Sequence, residues 1–388
     1  MARESLLTTA DHKRIGRIQI VLSLVLLAIA GSAGIFIRIS AAGGTVDNFD
    51  AFTSLHDALV GVFVVLPLWL GIATAIVPLQ LGTSRIAFPK MSSFATALYV
   101  GGAALVVAAY TKTPAPSSGR TVFDGVPLPG SLKSLPATEG ADLLVLGMLL
   151  GAVATVLMAV NLVATIASRR AHGLTIGRLP YFSWSVLAAG IGIAVATPVF
   201  IGGLSLVWID QHYGGSFFTS SAANAIWTHA IWLGGRPEAF LGAAFLLGAG
   251  SDIIATATGK PNELDMVTRG GIGAFVTFSF LTWTAGAADA VGVLAPFVNP
   301  ALILPVLAAG VVILSWLAQL RHGVKAVPAL VPLVLALATG ALGAINALIA
   351  LVNEDRGAIW SQHSLTLFAV FVPLAGAVAA LIHWAPKL

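Results

Sequence analysis

Ten long apolar runs constrain the fold of this chain more than any other feature of its sequence. They cover residues 15–39, 55–81, 90–110, 142–168, 183–209, 223–256, 271–295, 298–320, 327–352 and 362–384. Each run approaches or exceeds the roughly 20 residues that a helix needs to cross the hydrocarbon core of a membrane. Only 9% of the 388 residues are charged, whereas soluble proteins have about 25%. The sequence therefore predicts an all-α, polytopic membrane bundle of about ten transmembrane helices, in a single domain over residues 1–388.

The loops between these runs predict how the chain is oriented. When the N-terminus is placed in the cytoplasm, most of the 20 Lys and Arg residues fall in cytoplasmic loops. The outer loops then hold only Lys112, Arg120, Lys133 and Arg356. Such an excess of basic residues on the cytoplasmic side is typical of membrane proteins. We expect an integral protein of a bacterial or archaeal plasma membrane, with both termini cytoplasmic, an extracytoplasmic loop over residues 111–141, and no nucleic-acid partner.

Three of the eight histidines, His56, His229 and His363, lie near the beginning of even-numbered runs and share the outer leaflet. Two imidazoles at one depth on different helices can ligate a haem iron from both sides. Tyr110, at the outer end of its run, is a candidate neighbour of that haem. The alternative is a set of interfacial histidines with structural hydrogen bonds. The chain has no cysteine, which excludes iron–sulfur clusters and covalently attached c-type haem.

Several short motifs follow one another along the chain in an order typical of one family. The second run contains Leu55-His-Asp-Ala-Leu59, and the next loop contains Ala87-Phe-Pro-Lys-Met91. The sixth run contains Trp227-Thr-His-Ala-Ile-Trp232, and the tenth ends in Ile382-His-Trp-Ala-Pro386. Together they resemble the catalytic subunit I of haem-copper oxidases, such as cytochrome c oxidase subunit I. The resemblance covers nearly the whole chain and implies the fold of that subunit without its last two helices.

The resemblance also implies that the copper site of this family is degenerate here. The positions of its three histidine ligands and of its cross-linked tyrosine hold Arg236, Ala285, Gly286 and Phe240, respectively. Copper prefers imidazole or sulfur ligands, which none of these side chains provides. The acidic residue at the entry of one proton path corresponds to Arg85. We therefore expect no copper, and no oxygen reduction or proton pumping by this chain on its own.

One low-spin haem, of b or a type, is the cofactor that the resemblance still implies. His56 occupies the position of the family's second-helix axial ligand. The His-x-His pair expected in the tenth helix falls on Ser364 and Thr366, and His363 lies three residues before the second of them. Three residues are nearly one helical turn, so a local rearrangement lets His363 act as the other axial ligand. His56 and His363 are therefore the predicted haem-iron ligands.

Two basic residues complete the predicted haem site. Arg38 falls where an arginine of the first helix contacts the haem periphery in this family. Lys112, close to Tyr110, is a candidate to neutralise the haem propionates, because the family's usual arginine pair lies beyond the last residue of this chain. No residue is predicted to be catalytic.

The predicted function is electron transfer by a non-pumping, copper-less subunit within a respiratory or dehydrogenase-linked complex. Its expected partners are the lipid bilayer and other subunits of that membrane complex. A haem-free scaffold or accessory subunit is the alternative. A transporter that uses the vacated cavity, lined by Arg236, Glu238 and Asp289, is a third hypothesis.

Overall fold

The computed structural model describes most of the chain, and every regular element that it describes is helical. The described residues are 9–41, 43–44, 48–116, 138–214, 217, 223–281, 303–352 and 370–388, without the side chains of 40–41, 223–239, 344 and 346–352. The α-helices are α1 (His12–Ala41), α2 (Phe49–Ala58), α3 (Val65–Gln80), α4 (Pro89–Ala109), α5 (Glu139–Ser168), α6 (Tyr181–Tyr213), α7 (Ala223–Thr258), α8 (Asp265–Ser279), α9 (Ile303–Leu320), α10 (Leu330–Val352) and α11 (Val372–Trp384).

These helices confirm the predicted all-α membrane bundle. In the described part of the chain, seven helical segments are long and apolar enough to cross a membrane, and two shorter apolar helices follow them. Each of the ten predicted spans overlaps a helix, and most observed ends lie within six residues of the prediction. For example, α5 begins at Glu139, three residues before the predicted span. Residues 282–295 and 362–369 of two predicted spans lie outside the described residues. Large apolar side chains remain exposed on the helices, including Val21, Phe94, Leu314 and Val331, as expected of surfaces that face lipid.

The second span is not one regular helix, because a π-helical segment, Leu59–Val64, joins α2 to α3. A π turn bonds each N–H one residue further back than an α turn, so it rotates the side chains that follow it. The hydroxyl of Tyr99 donates to the carbonyl oxygen of Phe63 within this segment at 2.6 Å. The rings of Phe63 and Tyr99 are also stacked, with centroids 5.9 Å apart. The π segment is therefore anchored to α4.

The chain divides into two compact units, and the first comprises Met1–Gly71, Phe88–Ala159 and Ala194–Gly235. In unit 1, buried hydrogen bonds join α1 to α4: Gln19 donates to Thr96 at 2.8 Å, and Ser23 and Tyr99 share a bond of 2.8 Å. Helices α4 and α5 touch through their backbones. A Cβ added to Gly102 would lie 2.7 Å from the carbonyl oxygen of Gly147. Small residues that allow such close approach are typical of membrane helix pairs.

Unit 2 comprises Ile72–Ala87, Val160–Ile193 and Arg236–Leu388. Its interior is built around Trp316 of α9, whose indole N–H donates to Ser251 of α7 at 2.9 Å. The ring lies against Gly250, where an added Cβ would come within 2.5 Å of it. Thr268 of α8 donates to Ser315 at 2.8 Å. Helices α7, α8 and α9 are therefore joined by polar contacts in an otherwise apolar interior. The prediction of one domain over the whole chain stays a prediction.

Candidate functional site

The imidazole of His56, near the end of α2, lies against α1 in unit 1. Its Nδ1 is 2.8 Å from the carbonyl oxygen of Ala30. A carbonyl oxygen can only accept, so Nδ1 carries the proton and donates it. In the neutral imidazole the lone pair then belongs to the other ring nitrogen, Nε2. Among the described residues this nitrogen has no hydrogen-bond partner. A ligating histidine is commonly held in this way, with one nitrogen bonded to the protein and the other presented to a metal.

Gly34 allows this close contact between α1 and the imidazole. A Cβ added at this position would lie 3.3 Å from Nδ1 and 3.4 Å from Cε1 of His56. The rings of Phe36 on α1 and Phe52 on α2 also stack, with centroids 4.7 Å apart. The aromatic pair and the Ala30 bond both join α2 to α1, and the Ala30 bond orients the His56 ring.

Arg38 lies four residues after Gly34, on the same face of α1. It is in the last turn of the helix, and its side chain is exposed. Among the described residues it makes no ion pair. The structure thus places the predicted pair, Arg38 and His56, on one side of α1, with the arginine one turn beyond the imidazole.

Tyr110 and Lys112 follow α4 and lie in the same unit. The hydroxyl of Tyr110 is 2.6 Å from Oγ of Ser54, two residues before His56. Lys112 forms an ion pair of 2.5 Å with Glu139 in the first turn of α5. Ser54 and Glu139 were not predicted from the sequence as partners of these residues. Lys112 thus has a carboxylate partner in this structure, and its role at the haem propionates stays a prediction.

The other predicted site residues are less fully described. His363, Ala285 and Gly286 lie outside the described residues, and of Arg236 only the helical backbone is described. Phe240 in unit 2 is half-buried, and its ring centroid is 6.2 Å from that of Phe275. No group of three or more metal-ligating side chains is found in the described ranges. The predicted partner of His56 and the predicted loss of copper therefore stay predictions.

Comparison with known proteins agrees with this arrangement of helices and motifs. A family model for the cytochrome c and quinol oxidase polypeptide I matches residues 14–388. The chain belongs to this family. Members of the family, the haem-copper oxidase subunits I, bind haem and act in membrane complexes with other subunits. The present chain is accordingly an integral membrane protein of the oxidase subunit I type.

Individual relatives give the extent of the similarity. A probable cytochrome c oxidase subunit 1-alpha of Streptomyces coelicolor is 31% identical over 323 residues, 82% of this chain and 55% of that protein. A heme-copper oxidase subunit I+III of Aeropyrum pernix is 32% identical over 66% of this chain and 32% of its own length. The quinol oxidase subunit 1 of Bacillus subtilis is 26% identical over 98% of this chain and 60% of its own. The chain thus spans about half the length of most of these relatives.

Proposed function

We propose that this oxidase-like subunit binds one low-spin haem through His56 and transfers electrons within a membrane complex. The observation that carries the proposal is the His56 imidazole, with Nδ1 bonded to Ala30 and Nε2 without a partner among the described residues. A neutral imidazole nitrogen is a good axial ligand for haem iron. When bound, haem of this kind supplies a one-electron redox centre.

The residues of α1 and α2 provide the binding geometry for that group. The Ala30 carbonyl holds the His56 ring in one tautomer and one orientation, and Gly34 leaves room for the ring beside α1. Arg38, one turn further along α1, offers an exposed positive charge to carboxylates at the haem edge. His363 is proposed as the second axial ligand, on the basis of the resemblance and its position in the tenth predicted span.

We further propose that the chain holds no copper and neither reduces oxygen nor pumps protons on its own. This part rests on the residue types at the positions that match the family's copper site: Arg236, Ala285, Gly286 and Phe240. Arginine, alanine, glycine and phenylalanine supply no imidazole or thiolate ligand. The role that remains is to pass electrons between partners in a respiratory or dehydrogenase-linked complex.

The test is a reduced-minus-oxidised absorption spectrum of the full chain purified in detergent. We expect the narrow α band of a six-coordinate haem, at about one haem per chain. His56→Ala and His363→Ala should each abolish that band. His212→Ala is the matched control, because His212 is also near the end of a membrane helix in unit 1 but bonds to the Trp208 carbonyl and lies 3.2 Å from Asp142. It should retain the band.

Three results would contradict the proposal. A well-folded preparation without haem would favour the scaffold function, and identification of co-purifying subunits would then define its complex. A haem band that survives in His56→Ala would place the ligand elsewhere. Copper at one equivalent, or oxygen consumption by the isolated chain, would overturn the copper-less assignment.

A further inference from the structure

Two loops of unit 2 are hydrogen-bonded into one surface at the ends of membrane helices. The loop after α3 and the loop after α5 are joined because the Ala171 N–H donates to the Leu81 carbonyl at 2.8 Å. A second bond runs from the Ala87 N–H to Oγ1 of Thr165, near the end of α5, at 2.9 Å. The segment between Leu81 and Ala87 is thus fixed at both ends against the end of α5 and the residues that follow it.

This surface carries arginine side chains that have no carboxylate partner. Arg85, Arg169 and Arg178 are exposed, and none of them forms an ion pair within the described part of the chain. Residues 81–87 and 169–180 contain no Asp or Glu. We call Arg85, Arg169 and Arg178, together with the exposed Ile176, the basic loop surface. Its positive charge is not neutralised within these two loops.

Arg170 differs from its neighbours because its guanidinium is bonded to backbone carbonyl oxygens. Its guanidinium donates to the carbonyl oxygens of Ile166, Ala167 and Leu174 at 2.5, 3.0 and 3.1 Å. Those bonds cap the end of α5, whose last carbonyls otherwise lack partners. The guanidinium of Arg170 is thus used in the cap, whereas those of the basic loop surface form no such bond among the described residues.

In a second pair of loops in the same unit, the exposed arginine is paired with a carboxylate. Arg321, after α9, forms an ion pair of 2.5 Å with Glu263, which lies between α7 and α8. His322 is 3.2 Å from the same carboxylate. Both side chains of the Arg321–Glu263 pair are largely exposed, so exposure at a helix end does not by itself leave an arginine unpaired. Within unit 2, Arg321 is therefore paired with a carboxylate, whereas the three arginines of the basic loop surface are not paired within the described part of the chain.

The position of the surface favours a lipid ligand. Its loops follow α3 and α5 and precede α6, at the ends of helices long enough to cross the membrane. Ile176, in the turn Ile176–Arg178, is 46% exposed and provides an apolar contact beside the charges. Arginine clusters at this level of a membrane attract anionic headgroups, and guanidinium groups bind phosphate through charge-assisted hydrogen bonds. We propose that the basic loop surface binds the headgroup phosphate of an anionic phospholipid. Free phosphate shares this chemistry but lacks an acyl chain for Ile176.

The experiment compares lipid binding to the purified full chain in detergent, with bound lipids counted by native mass spectrometry. Phosphatidylglycerol and phosphatidylcholine with identical acyl chains serve as probes. We expect wild type to prefer phosphatidylglycerol, and R85Q, R169Q and R178Q each to lower that preference by about fivefold. The triple variant should lose the preference. R321Q is the matched control, because it removes a paired arginine from the other loops, and it should keep the preference.

The outcomes decide between the proposal and its alternatives. Equal binding of the two lipids by wild type, or equal losses in R321Q and the three single variants, would overturn it. A third arm adds inorganic phosphate in excess. If wild type binds inorganic phosphate but shows no preference for phosphatidylglycerol, the ligand of the surface is free phosphate and the lipid proposal is refuted. The thermal unfolding midpoint of each variant shows whether it is folded. If the triple variant does not fold, the three single variants still test the proposal.

Discussion

Two polar side chains of the membrane helices, Asp252 and His56, are treated differently by their surroundings. In unit 2, Oδ1 of Asp252 accepts from the Tyr181 N–H at 3.1 Å, and Oδ2 accepts from Nε2 of Gln80 at 2.8 Å and from the Phe182 N–H at 3.3 Å. Both carboxylate oxygens therefore have partners. In unit 1, His56 has one hydrogen bond, through Nδ1, and no described partner at Nε2.

The difference separates a structural polar group from one that is available to a ligand. Asp252 satisfies the first N–H groups of α6, which have no acceptor within their own helix. Gln80 extends this network, because its Oε1 accepts from the N–H and the hydroxyl of Ser183 at 3.1 and 2.6 Å. The Asp252 cluster thus holds α3, α6 and α7 together. A single hydrogen bond, from Nδ1 to the Ala30 carbonyl, orients the His56 ring, and Nε2 can bind a cofactor.

Removal of Asp252 should have the largest effect on stability. Asp252→Ala leaves the Tyr181 and Phe182 N–H groups and the Gln80 amide without an acceptor in a poorly hydrated region. Each of these three unsatisfied donors costs about 1–3 kcal/mol, so we expect the free energy of unfolding to fall by at least about 3 kcal/mol. Denaturant unfolding in detergent measures this change.

The conservative variant separates lost hydrogen bonds from lost volume. Asp252→Asn keeps one acceptor oxygen and nearly the same shape, so it should lose less than half as much stability as Asp252→Ala. His56→Ala should cost the haem-free protein only about 1 kcal/mol, the value of one hydrogen bond. If Asp252→Ala and haem-free His56→Ala lower the free energy of unfolding equally, the two side chains do not differ in their structural role.

A smaller effect should come from the glycine beside the candidate ligand. Gly34→Ala puts a Cβ 3.3 Å from Nδ1 of His56, so the ring must move by a few tenths of an ångström. If the proposed function holds, we expect about fivefold weaker haem retention, equivalent to about 1 kcal/mol of crowding. Spectral titration of haem into the haem-free protein measures it.

Gly31 provides the control on the same helix. A Cβ added at Gly31 meets nothing within 4 Å, and alanine is the better helix former by roughly 0.5–1 kcal/mol. Gly31→Ala should therefore leave haem retention unchanged. If both variants weaken retention alike, the effect belongs to α1 as a whole and the contact between Gly34 and His56 has no special role.

The features that could be predicted from the sequence are those that a single segment determines by its own residues. Hydropathy alone located the helices, and Arg38 lies in the last turn of α1. Partners across helices could not be predicted in the same way. The bond from His56 to Ala30 and the pair Lys112–Glu139 depend on how each helix is rotated about its axis.

Local irregularity adds to that difficulty. The π segment Leu59–Val64 changes the rotation of α3 relative to α2, and its apolar residues give no signal of it in the sequence. The motif Gly34-Ile-Phe-Ile-Arg38 did contain a usable sign. A glycine one turn before an arginine leaves room for a side chain of another helix on the same face.

The smallest effect should come from Asp265, at the edge of the Asp252 cluster and outside the predicted spans. Its carboxylate accepts from Nε of Arg269 at 2.9 Å and from the hydroxyl of Tyr181 at 2.6 Å. Partial burial alone would raise the pKa of this carboxyl, but the bonds from Arg269 and Tyr181 outweigh it, and the pKa lies below its ordinary value.

A carboxyl with a lower pKa in the folded state stabilises the fold above its unfolded pKa, about 3.9, and this contribution is lost as the pH falls through the folded value. Since 43% of the Asp265 side chain is exposed, solvent screening limits the contribution to less than about 1 kcal/mol. Wild type should therefore exceed Asp265→Asn in thermal unfolding midpoint by a constant margin from pH 7 to pH 5, and the margin should close below about pH 4. A margin that instead grows on acidification would mean that the carboxyl is destabilising where it lies, and the network around α6 would end at Asp252.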